Sequence, residues 1–203
     1  VFPTNVETGY PFTVPMLSYL RSAASRSKDT LHTQGVHFHR NEEGGKYPLS
    51  YFISRYLWDH AVTREAAVRS YAGWVANTDA TSAEELYQAL VLLDEFTYSG
   101  TAGQDQEAKG ARIRDLVESA LSRLPAARQA EMEFLLTTAR VMALYGEAAE
   151  HPGDEELYQA LYAQYAALLQ ASPSYGGFAP AASLSRFKQH VDWLRAGWAA
   201  GAF

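Results

Sequence analysis

Three histidines and two glutamates crowd one short stretch of the chain: His32, His37, His39, Glu42 and Glu43. Imidazole nitrogens with a carboxylate oxygen form the donor set of zinc and other transition-metal sites, and on an extended strand His37 and His39 would project to one face. The segment is therefore a candidate metal site with His32, His37, His39 and Glu42 as ligands, and with Glu43 or His60 as further donors. Zinc or another transition metal is the cofactor that reading implies. The helical His-Glu-x-x-His and Glu-x-x-His patterns are absent from the sequence, as are Gly-x-Ser-x-Gly and any Cys nucleophile. Ser99 to Gly103 lacks the glycine spacing of a phosphate loop and reads as a linker. The carboxylate pairs Asp94/Glu95 and Glu131/Glu133 fall on polar helix faces, where solvation explains them. The reading that best fits the whole chain is noncatalytic and needs no cofactor.

Composition narrows the classes further. Of 203 residues, 17 are Lys or Arg and 23 are Asp or Glu, a net charge of -6, and no segment gathers the basic stripe that binding to nucleic acid requires. With 47% hydrophobic residues the chain can bury a sizeable core as one domain over residues 1–203. The longest apolar stretches, such as Ala89 to Leu93, fall far below the roughly 18 residues of a membrane span. The lack of cysteine and the non-Met residue Val1 fit an exported bacterial protein, periplasmic or secreted.

The elements that would position these groups are helices. Thr13 and Pro15 open the first, which carries Leu17, Leu20 and Ala24. Residues 27–47 then lose the helical period and form a long loop, with a possible strand fragment at Val36 to His39. From Pro48 the spacing predicts helices to about Ala61, from Thr63 to Asn77, and from a Ser82/Glu85 capping box onward. Further helices follow on the face Ile113, Leu116, Val117, Ala120, Leu121 and Leu124, then over 126–149, 155–171 and 181–200. The last has a stripe of Leu184, Phe187, Val191, Leu194 and Trp198, with His190 on its polar side and His151 in the turn before 155. The expected fold is all-α: about eight helices as stacked antiparallel pairs, α-solenoid-like or an irregular bundle.

The heptapeptide Glu-Glu-Leu-Tyr-Gln-Ala-Leu occurs at Glu84 to Leu90 and again at Glu155 to Leu161, an offset of 71 residues. Carried outward, the offset places Arg69 on Arg140, Ala72 on Ala143, Leu116 on Phe187 and Ala120 on Val191. An internal duplication of residues 63–124 and 134–195 follows. In general design this resembles the HEAT, armadillo and tetratricopeptide families, whose stacked helices bind partners. Leu17-Ser18-Tyr19-Leu20-Arg21 is similar to a run in the helical activator domains of bacterial collagenases, over those five residues and no catalytic motif. The function these resemblances imply is a groove that binds a protein or peptide. Its expected lining is Tyr87, Tyr158 and Tyr162, with Tyr165 beside them and Tyr175 and Phe178 from the Gly-rich loop as rim contacts.

One experiment separates the two readings. A metal site at His37 requires stoichiometric transition metal in chelator-free protein and a melting temperature that added metal raises in wild type but not in His37→Ala. The binding-module reading expects neither.

Overall fold

Thr63 starts the first described helix because its hydroxyl accepts the backbone N–H of Ala66 at 3.1 Å, satisfying a donor the helix cannot reach. The structure, a computed structural model, describes Tyr51, Arg55, Asp59 and residues 61–98, 105–171 and 180–201, without the side chains of 94–98 and Pro180. Among these residues it is all-α, with seven helices. They are α1 (Arg64–Ala76), α2 (Ala80–Tyr98), α3 (Gln106–Ser122), α4 (Ala126–Glu131), α5 (Glu133–Glu150), α6 (Glu155–Ala171) and α7 (Pro180–Ala199). The first expected helix and the 27–47 loop with its strand fragment lie outside the described residues.

Two boundaries differ from the sequence reading. Helix α2 begins at Ala80, ahead of the expected capping box, because the Asp79 carboxylate takes the Ser82 N–H at 2.6 Å. Ser82 thus sits inside the helix, buried, and donates its hydroxyl to the Ala120 carbonyl of α3 at 2.9 Å. Glu85 instead pairs with Arg123 and accepts from the Ser119 hydroxyl at 3.2 Å. The expected helix over 126–149 is broken at Met132, whose side chain is fully buried, while α4 buries none of its own residues. Arg128 anchors α4 elsewhere, donating to the Val75 and Trp74 carbonyls at 3.1 and 2.7 Å. Those carbonyls end α1, where Asn77 (φ 48°) and Thr78 (φ 87°) turn the chain left-handed, so Arg128 satisfies orphan acceptors at the negative end of the helix dipole.

The helices pack largely in chain order: α1 on α2, α2 on α3, α3 on α5, α5 on α6 and α6 on α7, with α7 also touching α5. The apolar face expected around Ile113 to Leu124 is buried throughout, and Phe187, Val191 and Leu194 of α7 are buried too. The closest approach is the antiparallel crossing of α3 and α5. A Cβ added to Gly110 would lie 2.6 Å from the Met142 carbonyl oxygen, and one on Gly146 would lie 2.2 Å from that of Gln106. Backbone therefore touches backbone there, and only hydrogen fits between. The same crossing is tied at its ends by Glu150, which accepts the Glu107 N–H at 3.0 Å, and by Arg140, which donates to Glu118 at 2.9 Å.

The 71-residue offset can be followed in burial. Ala67, Val68, Tyr71, Ala72 and Val75 of α1 correspond to Thr138, Ala139, Met142, Ala143 and Gly146 of α5, all buried. The second helix of the unit departs from this match: Ala89 is buried in α2 and its counterpart Ala160 is exposed in α6. Helix α6, held between α5 and α7, turns Tyr158 and Tyr162 inward instead.

Gly146→Ala is expected to destabilise the fold by about 2 kcal/mol or more, since the backbone of α3 must move to admit the methyl group. Gly73→Ala, where nothing lies within 4 Å, is expected to stabilise by about 0.5–1 kcal/mol through helix propensity. Urea denaturation of the two variants beside wild type measures the contrast.

Candidate functional site

The metal candidates His32, His37, His39 and Glu42, with Glu43 and His60, lie outside the described residues, as do Tyr175 and Phe178. Among the described residues there is no group of three or more His, Asp or Glu placed to hold a metal ion. His151 is exposed, with Nε2 at 3.5 Å from Glu107.

The two heptapeptides build the same local device from opposite sides. In α2, Glu84 accepts from Gln88 one turn later at 3.1 Å and pairs with Arg69 of α1 at 2.7 Å, while the Arg69 guanidinium lies 3.7 Å from the centre of the Tyr87 ring. In α6, Glu155 accepts from Gln159 at 2.8 Å and pairs with Arg195 of α7 at 2.7 Å, and Arg195 lies 4.2 Å from the centre of the Tyr158 ring. Glu and Tyr three residues apart share a helix face, so an arginine from a neighbouring helix can meet both. The arginine comes from the preceding helix in the first copy and from the following helix in the second. Each guanidinium holds its partner carboxylate, Glu84 or Glu155, below the ordinary glutamate range.

The tyrosines expected to line a groove divide by burial. Tyr87 is half-buried beneath Arg69, but Tyr158 is fully buried and Tyr162 nearly so, together with Tyr165. This corrects the expectation of an open surface at Tyr158 and Tyr162: both belong to the core. The cause at Tyr158 lies four residues past Ala148, where Pro152 has no N–H to continue the helical ladder. The Tyr158 hydroxyl supplies the missing donor to the Ala148 carbonyl at 2.8 Å. Arg195 closes the same turn by donating to the Pro152 carbonyl at 2.8 Å. Tyr162 donates to Asp192 of α7 at 2.5 Å, and burial, reinforced by that hydrogen bond, pushes its phenol pKa up so that it stays protonated. Rings pack beneath these contacts, with Tyr165 and Phe187 tilted at 39° and 4.0 Å between centroids.

Among the described residues, the large apolar side chains left open are Trp74, 39% exposed, and Trp193, 61% exposed. Trp74 is flanked by Tyr51, with ring centroids 6.3 Å apart, and by the Arg128 guanidinium at 4.4 Å, so much of its surface is already engaged. Trp193 stacks on His190, with ring centroids 6.0 Å apart, and is largely exposed on α7. Burial lowers the His190 pKa, so the imidazole beside it is neutral near pH 7. Trp193 went unnoticed in the sequence although the signal was there: it falls off the stripe of Leu184, Phe187, Val191 and Leu194, on the face expected to be polar. Comparison with protein-family models, with curated proteins and with solved structures finds no match to this chain.

Tyr158→Phe is expected to cost about 1–3 kcal/mol, because it strands a buried carbonyl while leaving the ring in place. Tyr87→Phe, at a half-buried position, is expected to change stability by less than about 0.5 kcal/mol. Thermal melts of both variants check the difference.

Proposed function

We propose that the protein is a noncatalytic helical-repeat binding module that engages a protein or peptide partner through the outer face of α7, with Trp193 as its anchor. The observation that carries this reading is the 61% exposure of Trp193 on a helix whose Phe187, Val191 and Leu194 are buried on the other side. Tryptophan is enriched among the residues that dominate binding hot spots. Chain-order packing supports it too, because stacked helices of this kind present extended surfaces to partners. The matched burial of α1 and α5 supports assembly from a duplicated unit over 63–124 and 134–195. The lack of cysteine supports a setting outside the cytoplasm, periplasmic or secreted.

Retention of partner by the immobilised protein tests the reading. Trp193→Ala is expected to weaken retention about tenfold or more while moving the melting temperature by less than a degree or two, as suits an exposed hot-spot residue. Retention unchanged in Trp193→Ala would sink it.

A further inference from the structure

Helix α7 is seated on its neighbours as a bound peptide would be. Its buried Phe187, Val191 and Leu194 stand at i, i+4 and i+7, the spacing by which an amphipathic helix anchors in an apolar groove. Phe187 meets Tyr162 of α6 edge-on at 6.2 Å and Tyr165 at 4.0 Å between ring centroids. Farther along, Trp198 meets Tyr145 of α5 edge-on with centroids 5.5 Å apart. Arg195 is received by three groups at once: the Glu155 carboxylate at 2.7 Å, the Pro152 carbonyl at 2.8 Å and the Tyr158 ring, whose centre lies 4.2 Å away. Asp192 accepts from the Tyr162 hydroxyl at 2.5 Å. All the receiving residues belong to α5, α6 and the turn between them. Those two helices are tied without help from α7, by their own packing and by the Tyr158 hydroxyl on the Ala148 carbonyl.

We propose that the groove of α5 and α6 is a recognition site for an amphipathic helix of a partner protein, and that α7 is the occupant such a helix displaces. The inference rests on the reading of the protein as a binding module and adds a surface apart from that of Trp193. The partner helix is defined by what α7 already brings from Phe187 to Trp198. An aromatic residue is followed by a β-branched residue at i+4, an acid at i+5, leucine at i+7, arginine at i+8 and a second aromatic at i+11. Complementary groups wait in the groove for both charges, Glu155 for the arginine and the Tyr162 hydroxyl for the acid. What makes α7 displaceable is how it is held. Helix α3 is gripped by α2 on one side and by the backbone of α5 on the other, whereas α7 leans on α6 and touches α5 lightly. Glu155 is exposed and Arg195 is partly so, and an ion pair open to water holds weakly. A second helix with the same residues makes the same contacts, so the exchange loses little. Because α7 is joined to α6 through residues 172–179, its effective concentration is on the order of millimolar, and an outside helix binds with an apparent affinity reduced by the fraction of molecules in which α7 is lifted.

Fluorescence anisotropy of a labelled peptide with the sequence of α7, titrated with the full chain to about 500 μM, tests this, and circular dichroism melts confirm that each chain variant is folded. Arg195→Ala in the chain loosens its own α7 while the peptide keeps its arginine, so the apparent dissociation constant is expected to fall about fivefold or more from that of wild type. Asp192→Ala in the chain is expected to act in the same direction and serves if Arg195→Ala does not fold. In the peptide, Phe187→Ala is expected to weaken binding about tenfold or more, and Arg195→Ala to weaken it severalfold. Three results overturn the proposal: no binding to the loosened chains, binding indifferent to Phe187→Ala in the peptide, or an affinity that loosening α7 leaves unchanged, which would place the peptide elsewhere. Failure of the peptide with Trp193-dependent retention of a partner intact overturns the groove alone, whereas failure of both overturns the binding-module reading with it.

Discussion

The contact of α3 and α5 through Gly110 and Gly146 is the constraint from which the remaining helices take their places. Because no side chain separates the two backbones there, their distance and crossing are set by peptide groups rather than by adaptable rotamers. Helix α2 is then laid on α3 through the buried Ser82 hydroxyl, and α6 on α5 through Tyr158. The outer helices α1 and α7 rest on this inner arrangement, through α2 on one side and through α6 and α5 on the other.

Around that crossing, long side chains do what backbone donors cannot. Arg128 reaches the last carbonyls of α1, Tyr158 replaces the N–H that Pro152 lacks, and Arg195 takes the Pro152 carbonyl. Arg128 and Arg195 bridge 53 and 43 positions of sequence, so these helix ends are also tertiary contacts. Tyr158 serves twice, by a ring that fills space and a hydroxyl that completes a buried acceptor. The repeated Glu-x-x-Tyr-Gln unit has a related local use, clamping an arginine wherever a neighbouring helix offers one.

Much of the helical layout was legible because its causes are local. Thr63 and Asn77 mark both ends of α1, and the face from Ile113 to Leu124 is buried as its spacing predicts. The Ser82 capping box misled because Asp79, just upstream, offers an equally good cap, and local sequence does not say which will win. The break at Met132 has no local signal: Met132 is fully buried, and Arg128 of α4 is held by a carbonyl 53 positions away. The candidate groove at Tyr158 and Tyr162 failed for a similar reason: helical spacing tells which residues share a face, not how many neighbours cover it. Trp193 needed only the converse test, a large ring on the face that spacing assigns to solvent. The histidine-bearing segment at 32–42 lies outside the described residues.

The order in which the helices pack also bears on how the protein comes apart. An array in which each helix leans mainly on its neighbours in the chain has little long-range closure to lose, so opening can begin at an end and stop partway. Amide hydrogens of α3 and α5 would then exchange last, through near-global opening, and those of α7 much earlier. Among the described helices, anything that clasps α7 therefore holds shut the one most ready to open, and slows the fraying of the array as well as occupying its face.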